Sequence, residues 1–168
     1  VEVLRNTSVE VIADDEWILS GRAQLFVGNS GTTVRFLTAM LALGEGTYRL
    51  DGIPRMRERP IRDLLDALKQ LGVDVRSESD NGCPPVIVNA RGLHGGHVRI
   101  KADVSSQFLS ALLLVCPCAR GDTVVEVDGT LVSEPYVKMT LAMLDRFGLK
   151  IVEESVGRYR IPGRQCHG

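Results

Sequence analysis

Gly28-Asn29-Ser30-Gly31-Thr32-Thr33-Val34-Arg35 follows Ala23-Gln24-Leu25-Phe26-Val27, and together they read as a short strand, a glycine-bracketed turn and the start of a helix. Val34, Leu37, Met40 and Leu41 then recur at helical spacing. Ser30 or Thr32 can cap that helix. Its free first-turn amides and the positive end of its dipole suit a phosphate or carboxylate lying over the turn. No lysine follows the second glycine, so the turn is not a P-loop. One helix and one strand later comes Arg55-Met56-Arg57-Glu58-Arg59-Pro60, whose arginines alternate and share one face if the segment is extended. Pro60 pushes Arg59 toward extended backbone and suits the first turn of the next helix. Guanidinium groups grip oxyanions with paired hydrogen bonds. A helix N-terminus and a row of arginines feeding one place predict a site for a small anionic substrate.

Working outward, residues 1–4 and 9–13 alternate weakly and are expected to pair as strands, with a polar turn at Asp14-Asp15. The helix after Gly31 is expected to reach Leu43, with Gly44-Glu45-Gly46 as its stop and a strand at 47–50. A second helix is expected from Pro60, with Ile61, Leu64, Leu65, Leu68 and Leu71 as its apolar stripe and Gly72 ending it. Strands follow at 73–75, 86–89 and 98–101, with Asp80-Asn81-Gly82-Cys83-Pro84-Pro85 as a turn. The order then repeats at an offset of about 75 residues. Ser105-Ser106-Gln107 opens a helix, 123–127 is a strand, and Asp128-Gly129 echoes Asp51-Gly52. Pro135 starts a helix, 149–152 echoes 73–75, and 158–162 begins a last strand. Residues 163–168 are expected to fray.

The chain has 168 residues, enough for one domain with a real core. Its 20 basic and 21 acidic residues nearly cancel, which argues against a nucleic-acid or anionic membrane surface. Neither a membrane span nor a signal peptide is expected. Cys83, Cys116, Cys118 and Cys166 show no disulfide framework, and Cys116-Pro117-Cys118 has the wrong spacing for a zinc knuckle or a thioredoxin-type pair. Cys116 and Cys118 read as small hydrophobes at a helix end, and a reducing cytoplasm is the expected compartment. His94 and His97 read as loop residues without carboxylate or thiolate company, so no metal is expected.

Gly28-Asn29-Ser30-Gly31-Thr32 with Asp51-Gly52-Ile53-Pro54-Arg55-Met56-Arg57-Glu58-Arg59-Pro60-Ile61 resembles the 5-enolpyruvylshikimate-3-phosphate synthase family. Ser105-Ser106-Gln107-Phe108-Leu109-Ser110-Ala111-Leu112 and Ser133-Glu134-Pro135-Tyr136 resemble two further signatures of that family, in its order. The sister UDP-N-acetylglucosamine enolpyruvyl transferases share the architecture but not the arginine-rich motif. The resemblance implies an α/β (α+β) fold of repeated βαβαββ units, an inside-out barrel with helices packed inside and sheets outside. It implies three units per domain and two domains per enzyme. The chain is then expected to be a single incomplete first domain, with the tail of one unit at 1–27 and further units at 28–102 and 103–168.

The family reaction moves the enolpyruvyl group of phosphoenolpyruvate to the 5-hydroxyl of shikimate 3-phosphate and releases phosphate. The resemblance therefore implies both small anions as ligands, the second domain as partner, glyphosate as a possible inhibitor, and no cofactor. It assigns phosphoenolpyruvate to Gly31, Arg59 and Gln107, and shikimate 3-phosphate to Ser105, Ser106, Gln107, Ser133 and Tyr136. Asn29, Thr32 and Arg35 take supporting places. Ser105, Ser106 and Ser133 are also good helix caps. Phe36 stands where many members have Pro and Ser30 where many have Ala, both beside the phosphoenolpyruvate pocket. The family's N-terminal Lys-Ser pair and following Arg, and the acid/base groups of its second domain, have no counterpart here, so no catalytic residue is expected in this chain. The alternative is a non-catalytic anion-binding or interaction module that keeps half of the site, and bare apolar surface is expected to promote self-association.

Overall fold

The structure, a computed structural model, describes residues 10–13, 20–101, 105–129 and 133–166. The expected strand at 1–4 and the turn at Asp14-Asp15 lie outside these residues. The elements run β1 (Glu10–Ala13), β2 (Ser20–Phe26), α1 (Gly31–Leu41), β3 (Glu45–Asp51), a 3₁₀ turn (Pro54–Glu58), α2 (Arg62–Gln70), β4 (Asp74–Ser77), β5 (Val86–Arg91) and β6 (Gly96–Lys101). They continue with α3 (Ser106–Val115), a 3₁₀ turn (Cys116–Cys118), β7 (Thr123–Asp128), α4 (Glu134–Arg146), β8 (Val152–Ser155) and β9 (Arg158–Ile161).

Two open sheets result. One has the order β1-β2-β3-β5-β4, the other β6-β7-β9-β8, so four strands of the first repeat the order of the second. In each sheet one pair is parallel, β2 with β3 (Ser20↔Glu45 to Phe26↔Asp51) and β6 with β7 (Gly96↔Thr123 to Lys101↔Asp128), and the remaining pairs are antiparallel. A parallel pair needs a crossover, and α1 and α3 supply it. The helices pack on each other: α1 on α3, α3 on α4. Of α3, Phe108, Leu109, Ser110, Ala111, Leu112, Leu113 and Val115 are all buried, which fits a helix that is apolar nearly all round. It is the central helix of the core.

The last turns of α2 and α4 close alike. Val73 N–H bonds to Leu68 O at 3.0 Å, and Leu149 N–H to Leu144 O at 3.0 Å. Their outer faces differ. α2 buries Leu64, Leu65, Ala67 and Leu68 and lies on β4 and β6, where the Gln70 amide bonds to both Arg99 N–H and Arg99 O at 2.9 Å. α4 instead presents Tyr136, Met139, Met143 and Phe147 to solvent, with Phe147 79% exposed. An apolar stripe of this size is the kind of surface that associates. Among the described residues no helix is long and apolar enough to cross a membrane.

Several expectations need correction. Glu45 and Gly46 belong to β3, because Gly46 pairs with Gly21 and has no room for a Cβ there. α2 begins at Arg62, two residues after Pro60. The strand expected at 149–152 is displaced to Val152–Ser155, all exposed. The tail does not fray as far as Cys166: Arg164 N–H bonds to Ala119 O and Gln165 N–H to Pro117 O, both at 2.8 Å. That return brings Cys166 beside Cys118, and the two form a disulfide across a sequence separation of 48. Cys118 is therefore a bonded half-cystine rather than a free apolar filler. Cys116 is free and fully buried, and burial pushes its thiol up to about 12. His97 lies on β6 with Glu126 at 3.1 Å, so it does have a carboxylate neighbour. No cluster of three or more metal-ligating groups occurs among the described residues.

Candidate functional site

The Gly28 turn forms because Gly28 takes a positive φ of 57° and Ser30 N–H closes onto Val27 O at 3.1 Å. Ser30, not Thr32, is the cap of α1: its hydroxyl accepts the Thr33 N–H at 3.2 Å. The other first-turn amides remain for whatever lies over the turn. Asn29 is exposed at the tip and makes no side-chain hydrogen bond among the described residues.

The arginines do not line one face. Their segment is a 3₁₀ turn, in which Arg55 pairs with Glu58 and Arg57 turns back to Asp51, with Nε–Oδ1 3.0 Å and Nη2–Oδ2 2.7 Å. Only Arg59 goes inward. It leaves the turn in extended backbone, at φ −86° and ψ 120°, and lies against Gly31 so closely that a Cβ there would be 2.6 Å from Nη1. Thus the glycine makes room for Arg59 itself as well as for any ligand. The Arg59 guanidinium has no carboxylate or hydrogen-bond partner among the described residues.

Arg35, one turn into α1, lies 5.0 Å over the Phe108 ring and donates to Gln107 Oε1 at 2.5 Å. Burial and the Arg59 charge lower its pKa, so two guanidinium groups crowd one place with no anion supplied among the described residues. Gln107 is held at its other end by Thr32, with Nε2–Oγ1 at 3.1 Å. Since Oε1 faces Arg35, the amide NH₂ has a second hydrogen left to give. One side chain thereby ties the N-terminus of α1 to that of α3. Ser105 caps α3, its hydroxyl accepting the Gln107 N–H at 3.2 Å, and Ser106 follows at the first helical position.

Beyond these serines a cleft of about 500 Å³ opens, lined by Thr32, Phe36, Ser105, Ser106, Gln107, Ser110, Ser133, Tyr136, Met139 and Thr140. That volume suits a small metabolite. Ser133 and Tyr136 form the α4 wall. Ser133 is not a side-chain cap; it sits in the left-handed region at φ 63° and makes no capping bond. The structure therefore brings Gly31, Thr32, Arg35, Arg59, Gln107, Ser105 and Ser106 together, and sets Ser133 and Tyr136 across the cleft.

Sequence reasoning passed over Ser110, Met139 and Thr140. Ser110 and Thr140 bond to each other at 3.0 Å where α3 and α4 meet. The available signal was Ser106 to Ser110, four apart and so on one helical face.

A second charge cluster backs the site. Arg49 grips Glu78 with Nε–Oε1 3.0 Å and Nη2–Oε2 2.6 Å, and reaches Asp51 Oδ2 at 3.1 Å. Burial works to raise the Asp51 pKa. The hydrogen bonds from Arg57 and Gly52 and the nearby Arg49 and Arg57 charges outweigh it and hold the carboxyl below its usual range.

The model of the EPSP synthase (3-phosphoshikimate 1-carboxyvinyltransferase) family matches residues 2–167. A 3-phosphoshikimate 1-carboxyvinyltransferase of Shewanella sp. (strain ANA-3) is 48% identical over 161 residues, covering 95% of this chain and 38% of that protein. The enzyme of that name from Shewanella woodyi is 50% identical over 143 residues, covering 85% and 34%. The chain thus spans little more than a third of the length of these curated relatives. Among solved structures, EPSP synthase from Acinetobacter baumannii superposes with a TM-score of 0.70 at 26% identity, covering 83% of this chain and 30% of that one. The two-sheet architecture and the matched motifs agree: this chain belongs to the EPSP synthase family.

Proposed function

We propose that the chain supplies one face of an enolpyruvyl transferase site, at which the enolpyruvyl group of phosphoenolpyruvate passes to the 5-hydroxyl of shikimate 3-phosphate. In that reaction the hydroxyl oxygen bonds to C2 of phosphoenolpyruvate while C3 gains a proton. The C2–O bond to phosphate then breaks and a C3 proton is returned. The observation that carries the reading is the Arg59 guanidinium, unpartnered among the described residues and laid on Gly31 at the N-terminus of α1. Arg59 and the α1 amides hold the phosphoenolpyruvate anion, with Arg35 adding charge and orienting Gln107. Ser105, Ser106 and the α3 N-terminus take the phosphate of shikimate 3-phosphate, and Ser133 and Tyr136 close over the ring from α4. Gln107 lies between the two ligands. Two polyanions brought together in one place convert a bimolecular encounter into an oriented one.

Among the described residues the cleft lining holds no carboxylate, and to these residues we assign binding and orientation rather than proton transfer. In this reading the 168 residues are most of a first domain, the remaining groups come from a second domain, and the chain alone binds weakly without turnover. We place the reaction in the cytoplasm, and glyphosate would compete in the phosphoenolpyruvate part of the site.

Calorimetric titration of shikimate 3-phosphate and then phosphoenolpyruvate into the purified chain tests the assignment. The expected result is saturable heat for shikimate 3-phosphate that disappears in the Ser105→Ala, Ser106→Ala double variant, and phosphoenolpyruvate binding that disappears in Arg59→Ala. Binding of both anions that is indifferent to all three substitutions would overturn it.

A further inference from the structure

Arg55, Arg57 and Arg59 are chemically equivalent and close in sequence, yet only Arg59 reaches Gly31. Their partners do the sorting: Glu58 takes Arg55, and Asp51 takes Arg57 through two parallel bonds. Asp51 is only 8% exposed. Its carboxylate also accepts Arg49 Nη1 at 3.1 Å and the Gly52 N–H at 2.8 Å, so four donors occupy it. The backbone around Asp51 is tied to the other half of the site. Val27 N–H bonds to Asp51 O at 2.8 Å and Ile53 N–H to Gly28 O at 3.1 Å, so the residues flanking Gly52 are both tied to the entry of the turn that launches α1. A Cβ on Gly52 would run into the Gly28 carbonyl and lie 2.8 Å from Met56 Cβ, so the two loops meet there without slack. The 3₁₀ turn needs such anchoring, because its own hydrogen bonds are poorly aligned and Met56 is its one buried residue.

We infer that Asp51 is a positioning residue of the anion site: by holding Arg57 outside, it fixes the Pro54–Glu58 turn so that Arg59 alone is laid on Gly31. The inference rests on the reading of Arg59 as the anion-binding group. Asp51 touches no ligand in this arrangement and acts through Arg57 and the turn.

The test uses the full chain labelled with ¹⁵N-arginine, with side-chain Nε–H signals followed by NMR as phosphoenolpyruvate is added. Asp51→Asn keeps the shape and the acceptor for Gly52 N–H but removes the charge that pairs Arg57, so a role confined to turn geometry survives it. The expected result is movement of both the Arg57 and Arg59 Nε–H signals in Asp51→Asn, and phosphoenolpyruvate affinity roughly tenfold weaker, as misplacement of a binding group by a fraction of an ångström would produce. Unmoved Arg59 with unchanged affinity would overturn the inference. If the parent chain shows no saturable binding, the reading of Arg59 as a binding group falls for the isolated chain. The Arg59 signal in Asp51→Asn still decides the positioning role, movement supporting it and stillness refuting it. Should Asp51→Asn not fold, Arg57→Ala replaces it: Arg57 is 52% exposed, so the fold survives its loss, and the same movement of the Arg59 signal is required.

Discussion

Gly31→Ala separates what the fold needs from what the site needs. Gly31 is the first residue of α1 and its backbone is helical, so alanine fits the main chain. Alanine in place of glycine favours a helix by up to about 1 kcal/mol, less at the first position. The cost falls on one neighbour. The added Cβ would stand 2.6 Å from Arg59 Nη1 and 3.7 Å from its Cδ and Cζ, so only the tip of the guanidinium is struck. Moving that tip out to an ordinary contact of about 3.5 Å displaces it by roughly 1 Å. The Arg59 side chain is long and only partly exposed, so it swings aside rather than forcing α1 to shift. A charge-assisted hydrogen bond contributes about 1.5–3 kcal/mol, so its loss weakens phosphoenolpyruvate binding by about one to two orders of magnitude. The assay pairs urea unfolding with the phosphoenolpyruvate titration: expected are an unfolding midpoint equal to or slightly above the parent's and a binding isotherm moved to much higher concentration. Unchanged affinity with a displaced Arg59 signal would refute the role of Arg59. A large loss of stability would refute the claim that Gly31 serves the site rather than the helix.

Two further outcomes follow from the charge and thiol chemistry. The folded Asp51 pKa is depressed, so its stabilising contribution is present above the unfolded value of about 4 and is lost as pH falls through the folded value. The stability difference between the parent chain and Asp51→Asn should therefore be flat above about pH 5 and shrink on acidification, measured by urea unfolding; a difference that persists to pH 2 would contradict the ion-pair account. The Cys118–Cys166 bond closes a loop across 48 residues, for which chain entropy gives about 4 kcal/mol of stabilisation, and a cytoplasm would expose it to thiol reductants. Without reductant, alkylation of the unfolded chain should label only Cys83 and Cys116, and Cys166→Ser should lower stability while abolishing its response to dithiothreitol; four labelled thiols would contradict the bond.

The local and periodic part of the fold is legible in the residues alone. The apolar stripe of α2 and the glycine that ends it, the strand–turn–helix at Gly28, and Ser105-Ser106-Gln107 at a helix start are all written in spacings of a few residues. Hydrophobic period and turn chemistry act at that range. The motifs also carried the family, because four short segments kept their order along the chain. The tertiary structure decided which groups are used. Sequence spacing suggested three equivalent arginines, but Asp51 and Glu58 pair with two of them and Gly31 receives the third. Gln107 meets Arg35 and Thr32 across 72 and 75 residues, and Cys166 meets Cys118 across 48. Those partnerships depend on how helices and turns stack, on loop returns, and on burial that decides whether a charge must find a counter-charge. No pattern of a few residues encodes them, since a side chain's partner is fixed only when the backbone brings the two within hydrogen-bonding reach.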